Sequence, residues 1–369
     1  MKPPRVFFYV QHLLGIGHLQ RAAALARGLT AAGFEVTLAS GGKPVEGIPA
    51  LQLPPVSSDA EFKQLLDLNG NPVDDAWKAR RRQALLKAFQ DASADVLLIE
   101  LFPFGRRQMR FELLPLLDKA KQASPRPLVV CSVRDLIQPR PSREAEMLEC
   151  FEHYYDRLLV HGDPRVAPFE RSFGAAARLA GRMHYTGYVV QEPARQGDAG
   201  TGEVLVSAGG GAVGQRLLET AIAARPLSSL RDRPWRILAG INAPGFETLR
   251  SRAGNGVIVE RSRNDFTLLL RNCVLSVSQG GYNTVLETLQ AGARAVVVPF
   301  ASVTESEQTL RTTLLAERGL LEVVDDASLT PAALAAAVDR AAARPRPAPG
   351  AIDFGGARAS AALLREWLS

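Results

Sequence analysis

Short apolar runs alternate with amphipathic stretches along most of this chain, and the alternation starts twice. In the first half the runs are Val6–Val10, Glu35–Ala39, Val96–Ile99, Leu128–Ser132 and Arg157–Val160, with helical patterns such as Asp75–Ala92 and Glu112–Ala123 between them. Strands that are apolar at consecutive rather than alternate positions are covered on both faces, which is the pattern of a parallel sheet wrapped in helices. The stretch Met183–Glu203, rich in Gly, Pro and polar residues, interrupts the pattern and reads as an interdomain crossing. The alternation then resumes through Val204–Ala208, Leu217–Ala224, Arg236–Ala239, Gly256–Val259, Val274–Val277, Thr284–Ala291 and Ala295–Val298. A chain of 369 residues exceeds one ordinary core. The expectation is α/β, with two tandem Rossmann-like domains over 1–186 and 187–369 and the closing helix Ala357–Leu368 packing back on the first. In open α/β sheets ligands bind beyond the carboxyl ends of the strands, so the two domains should face each other across a cleft.

The composition narrows the function classes. Cys131, Cys150 and Cys273 are scattered without metal-ligand spacing, which fits a reducing, cytoplasmic setting without disulfides. Val6–Val10 is too short for the apolar core of a signal peptide, and no run approaches a membrane span. The net charge of +6 gathers at Arg80–Arg82 and at Arg106, Arg107 and Arg110. Little aromatic interleaving accompanies it, so nucleic acid is not expected. The second group is either a solvated face or a contact for an anionic acceptor or membrane surface. Asp67, Asn69 and Asn71 have calcium-loop spacing, but Pro72 and Lys78 stand where Gly and Glu are required. No other cluster suggests a metal.

Four loops carry the candidate chemistry. The first, HLLGIGHLQR, follows the first strand and contains Gly15, Gly17, His18 and Arg21. Gln20 replaces the third glycine of a dinucleotide fingerprint, and no Lys-Ser or Lys-Thr completes a phosphate loop. A helix N-terminus disfavours an imidazolium and favours the neutral ring. His18 is therefore either a base or a capping and packing residue. The second loop, VLVSAGGGAVGQ, ends a strand at Ser207 and Ala208 and offers Gly209, Gly210 and Gly211 to an anion. The third, SQGGYNTVLETL, places Gln279, Gly280, Gly281, Asn283 and Thr284 at another helix start, with Glu287 one turn inside. A carboxylate there can accept two hydrogen bonds from vicinal hydroxyls. Glu307 and Gln308 open the next helix, where both can bind sugar hydroxyls, although an acid in a first turn is also favourable by itself.

Ser278–Gln308 resembles the nucleotide-sugar half of GT-B glycosyltransferases of family 28. The matching residues are Gly280, Gly281, Thr284, Glu287, Ala291–Gly292, Val296–Val298, Pro299–Phe300 and Glu307–Gln308. The resemblance implies Glu287 on the ribose, Gln308 on the donor sugar and Gly209–Gly211 on phosphate. Gly15, Gly17, His18 and Arg21 resemble the acceptor-side loop of the same enzymes, and also the Gly-x-Gly-His-x-x-Arg pattern of UDP-sugar hydrolases. Many relatives carry His before the Gly-Gly pair, where this chain has Gln279. Residues 40–190 match no acceptor pattern.

The resulting expectation is a metal-independent transferase with no cofactor. It takes a UDP-sugar, UDP-N-acetylglucosamine among the candidates, and a hydroxyl acceptor. His18 is the base, Gly17 lies in the nucleotide-sugar site, and Arg21, Arg106, Arg107 and Arg110 contact an anionic or lipid-linked acceptor at the inner membrane face. A UDP-sugar hydrolase using His18, and a non-catalytic sugar-nucleotide-binding protein, are the alternatives.

Overall fold

A computed structural model describes residues 2–59, 63–191, 196–208, 214–240, 243, 245–300 and 306–369. The chain forms two compact units, Met1–Val190 with Asp353–Ser369, and Gln191–Ile352. The sequence boundary at 186/187 thus moves to 190/191, and the closing helix lies in the first unit.

The first unit contains β1 (Arg5–Val10), α1 (Gly17–Ala31), β2 (Glu35–Ser40), β3 (Leu51–Gln52), a small antiparallel pair β4 (Ser57–Ser58) and β5 (Leu65–Leu66), and α2 (Asp75–Ala92). It continues with β6 (Val96–Glu100), α3 (Arg110–Gln122), β7 (Leu128–Arg134), α4 (Glu144–Tyr154), β8 (Arg157–His161) and β9 (Met183–Tyr185). Among the described residues these build a parallel sheet in the order β3-β2-β1-β6-β7-β8-β9. Met183–Tyr185, read from sequence as part of a linker, is its edge strand.

The unbroken apolar runs are explained by two cores. Phe7, Tyr9, Leu97, Ile99, Val129 and Cys131 point to one side with residues of α2, α3 and α4. Val6, Phe8, Val10, Leu98 and Val130 point to the other, with α1 and the closing helix. That helix packs closely on α1, since a Cβ on Gly28 would lie 2.5 Å from that of Ala357. Asp74 caps α2 by accepting from the Trp77 N–H. The rejected calcium segment is a turn, with Asp67 Oδ1 accepting from the Asn69 and Asn71 N–H groups.

The second unit contains β10 (Val204–Ser207), α5 (Gln215–Ala224), β11 (Trp235–Ala239), α6 (Phe246–Ser251), β12 (Val257–Arg261) and α7 (Phe266–Asn272). It continues with β13 (Leu275–Gln279), α8 (Tyr282–Gln290), β14 (Ala295–Val298), α9 (Glu307–Glu317), β15 (Glu322–Val323) and α10 (Pro331–Ala343). The chain ends on α11 (Gly356–Leu368), in the first unit. The second sheet is again parallel, in the order β12-β11-β10-β13-β14-β15. Val204, Val206, Ile237, Val277 and Val296 form its main core with α5 and α10, and Leu205, Leu238, Leu269 and Leu270 cover the opposite face. No described helix is long and apolar enough to cross a membrane.

Candidate active site

In the first unit the chemistry collects where three parallel strands end. Glu100 is the last residue of β6, Arg134 the last of β7 and His161 the last of β8. The loop after β1 brings His18 to them on the first turn of α1. His18 Nδ1 lies 2.8 Å from Glu100 Oε1, and Arg134 Nη2 lies 3.0 Å from His18 Nε2. A guanidinium can only donate, so Nε2 is the accepting nitrogen and the proton resides on Nδ1, where it is donated to Glu100. Burial, opposed by Glu100 and assisted by Arg134 and Arg106, pulls the His18 pKa down to about 3. The imidazole is therefore neutral. The other effects on Glu100 outweigh its burial: His18, Arg21 and Arg106 hold its carboxyl well below the usual carboxylate range.

The four arginines of the expected acceptor contact do not form one surface. Arg21 is 3% exposed and ion-paired to Glu100; its place on the buried side of α1 corrects the expectation that it meets an acceptor. Arg106 turns inward, its Nε donating to the Gln11 carbonyl at 2.8 Å, and burial lowers its pKa. Only Arg107 and Arg110 point away, and both engage Glu146, which Arg143 also reaches. That arrangement corrects the reading of Arg106, Arg107 and Arg110 as a single basic patch. A shallow depression beside them is lined by Phe102, Pro103, Met147 and Cys150.

A second buried ion pair braces the loops after β1 and β2. Arg81 donates through Nε to Glu112 Oε2 at 2.7 Å and through Nη2 to Gln11 Oε1 at 2.6 Å. Its Nη1 reaches the carbonyls of Gly41 and Pro54. Glu112 also accepts from the Tyr9 hydroxyl. Gln11 thus connects this pair to Arg106, and through it to the His18 cluster.

The second unit again places its candidates at strand ends. Ser207 closes β10 and Gln279 closes β13. The Ser207 hydroxyl is buried with no partner among the described residues. Gly209, Gly210 and Gly211, expected to hold phosphate, lie outside the described residues. Gly280 has a packing reason to be glycine, because a Cβ there would come within 3.0 Å of Pro299 Cα and 3.2 Å of Gln308 Oε1. Gly281 has none: its φ is −60° and a Cβ would meet nothing within 4 Å. What glycine provides at this N-cap is an open approach to the first turn of α8, with no side chain capping it. Asn283 and Thr284 follow in that turn.

Glu287 lies one turn further in, half-buried. No described residue offers it a hydrogen bond, and burial alone raises its pKa to about 7. A carboxylate held in this condition gains from any ligand that donates to it. On α9, Glu307 accepts from Arg311 at 2.8 Å, and the Arg311 guanidinium stacks 4.8 Å over the Tyr282 ring. The expected sugar ligand is thus also a tie between α9 and α8. Gln308 Oε1 accepts from the Phe300 N–H at 3.3 Å, which orients its amide nitrogen away from that bond. Among the described residues no group of three His, Cys, Asp or Glu could hold a metal ion.

The sequence reading overlooked Glu100, Arg134 and His161. The signal was available: each stands one or two residues past an apolar run, at the carboxyl end of a strand, where ligands of such sheets bind.

Residues 210–353 match the glycosyltransferase family 28 C-terminal domain. No curated protein matches the sequence. Among solved structures, the glycosyltransferase of kitacinnamycin is 19% identical with a TM-score of 0.68, each chain covered over its full length. The calicheamicin glycosyltransferase CalG4 is 17% identical with a TM-score of 0.63, covering 100% of this chain and 99% of its own. MurG of Acinetobacter baumannii is 15% identical with a TM-score of 0.59, covering 98% and 100%. Residues 210–353 thus carry the pattern of the family 28 C-terminal domain, and the chain along its whole length has the fold of these glycosyltransferases.

Proposed function

We propose that the protein transfers a sugar from a UDP-sugar to a hydroxyl acceptor. The observation that carries this reading is Glu287, a half-buried carboxylate without a described partner, one turn inside a helix with an open glycine N-cap, in the family 28 domain. Its two oxygens suit the vicinal hydroxyls of a ribose, while the first turn of α8 suits the diphosphate. Gln308 is assigned to the donor sugar. UDP-N-acetylglucosamine is the first donor to try.

In the reaction the acceptor oxygen forms a bond to the anomeric carbon as the bond from that carbon to the diphosphate oxygen breaks. His18 Nε2 takes the hydroxyl proton, and Glu100 stabilises the imidazolium through Nδ1–H. The diphosphate departs against helix N-termini, an electrostatic role that a cation fills in other enzymes. The exposed Leu14 and Ile16, on the loop before α1, suit an acceptor with an apolar portion, including a lipid-linked one at a membrane surface.

Thermal-shift measurements over UDP-, GDP- and dTDP-sugars test the donor. Stabilisation by UDP-sugars above the others supports the assignment, and equal indifference to all of them removes it. Incubation with a UDP-sugar alone separates the alternatives: rapid stoichiometric sugar release without an acceptor marks a hydrolase.

A further inference from the structure

Outside the His18 cluster, three arginines from separate segments converge on one acid. Arg107 lies in the turn after β6, Arg110 opens α3, and Arg143 immediately precedes α4, which carries Glu146 in its first turn. Arg110 Nη1 meets Glu146 Oε1, Arg107 Nε lies 4.0 Å from the same oxygen, and Arg143 Nε lies 3.4 Å from Oε2. Against the opposing effect of burial, all three lower the Glu146 pKa. Four other acids of α3 and α4 are turned elsewhere: Glu112 to Arg81, Glu144 to the N–H groups of Gly174 and Ala175, Glu152 to Arg178, and Asp118 to the Tyr154 hydroxyl. Glu149 is exposed and makes no described ion pair. Three guanidinium groups thus face one carboxylate, an excess of two positive charges over these four residues. The side chains are open to solvent, Arg107 being 62% exposed, Arg110 38% and Arg143 25%. Between them lies the shallow depression with Phe102, Pro103, Met147 and Cys150 as its apolar lining.

We propose that Arg107, Arg110 and Arg143 form a binding site for a phosphate group that carries an apolar portion. A phosphate monoester bears about −1.5 to −2 charges near pH 7, which matches the excess of two. A carboxylate leaves part of that excess unbalanced. Each planar guanidinium can give paired, charge-assisted hydrogen bonds to phosphate oxygens. The N-terminal ends of α3 and α4 add favourable partial charge from the same side. Glu146 holds the three arginines together when the site is empty, against their mutual repulsion. The apolar lining receives the carbon chain next to the phosphate. The site starts at Phe102, two residues past Glu100, and so lies at the carboxyl end of the first sheet. The phosphate belongs either to a small molecule, the acceptor included, or to a lipid headgroup. The inference goes beyond the transfer reaction proposed above and depends on neither His18 nor Glu287.

NMR of the arginine Nε–H groups in protein labelled with ¹⁵N-arginine tests this without any transfer reaction. The three resonances are identified by their loss in Arg107→Lys, Arg110→Lys and Arg143→Lys. Butyl phosphate should shift them together with a single dissociation constant. Inorganic phosphate should shift the same three with about tenfold lower affinity, from the loss of a few methylene contacts. Sodium chloride at equal ionic strength should leave them in place. Arg143→Gln should weaken butyl phosphate by about tenfold or more, and circular dichroism checks that it is folded. Shifts no larger than those with chloride overturn the proposal, as does an affinity unchanged in Arg143→Gln. Sedimentation with phosphatidylcholine vesicles, with and without phosphatidic acid, separates the two sources. Retention that needs phosphatidic acid and is lost in Arg143→Gln assigns the phosphate to a lipid. Binding of butyl phosphate without retention assigns it to a small molecule. The thermal-shift screen reports donor binding separately, so failure here and failure there are distinct.

Discussion

His18 and Glu100 meet through Nδ1 and Oε1 at 2.8 Å, joining the first helix to the end of a strand 82 residues away in sequence. The pairing fixes the ring's tautomer and its direction. In the proposed reaction it also gives the imidazolium a counter-charge inside the protein.

Glu100→Gln should therefore lower kcat by about 10²- to 10⁴-fold, the range of a general base, with the donor Kd unchanged. His18→Asn should be about as slow. Steady-state kinetics with calorimetric donor binding checks both, and circular dichroism confirms that the variants are folded. Near-normal kcat in a folded His18→Asn would make the residue one of packing only.

Burial raises the Glu287 pKa to about 7, which should give the proposed donor binding a pH dependence. Above that value the group is a carboxylate and, on the proposed reading, accepts both ribose hydroxyls. Below it, protonation must be reversed before the ligand is held. UDP-sugar affinity should weaken by about tenfold per pH unit below 7, where one pH unit corresponds to about 1.4 kcal/mol, and level off above it. Glu287→Gln should bind weakly at every pH and show a flat profile. Calorimetry between pH 5.5 and 8 provides the comparison.

Two buried histidines should make the fold sensitive to acid. His18 and His161 are both neutral, with pKa values lowered to about 3 mainly by burial. His161 lies between the Ser132 and Thr186 hydroxyls at 2.8 and 2.9 Å. The unfolded chain takes up these protons near the ordinary value of 6.5, and the folded chain does not. Their stabilising effect is complete above that value and declines as the pH falls towards 3, by up to about 1.4 kcal/mol per pH unit for each group. Urea unfolding at pH 7 and pH 5 should show the loss, and His161→Gln should lessen its slope.

Turnover should survive EDTA, because helix N-termini and loop N–H groups are assigned to the leaving diphosphate. Loss of activity on chelation, restored by magnesium or manganese, would contradict that assignment.

The fold was legible because runs such as Val96–Ile99 and Val204–Ala208 allow few structures other than a doubly covered parallel strand. Gly280, Gly281, Glu287 and Gln308 could be grouped from sequence because they lie within one continuous stretch. The cluster around His18 was not, for a physical reason: His18 and Arg21 lie on α1, Glu100 on β6 and Arg134 on β7, and only the pairing of β1 with β6 and β6 with β7 brings them together. A charged residue just past an apolar run looks in sequence like the beginning of a loop. Arg21 is read from sequence as an acceptor contact, since its partner Glu100 lies 79 residues on. Met183–Tyr185 was hidden by its polar neighbours, as a short edge strand has one side open and needs little apolar sequence.

On the proposed reading the second unit binds the nucleotide sugar through Glu287. Isothermal titration of UDP-N-acetylglucosamine into the wild-type protein and Glu287→Ala at pH 8 tests it most directly. Loss of a charged acceptor for two hydroxyl donors should weaken binding by about 1.5–3 kcal/mol, roughly 10- to 150-fold. Equal dissociation constants for the two proteins would contradict it.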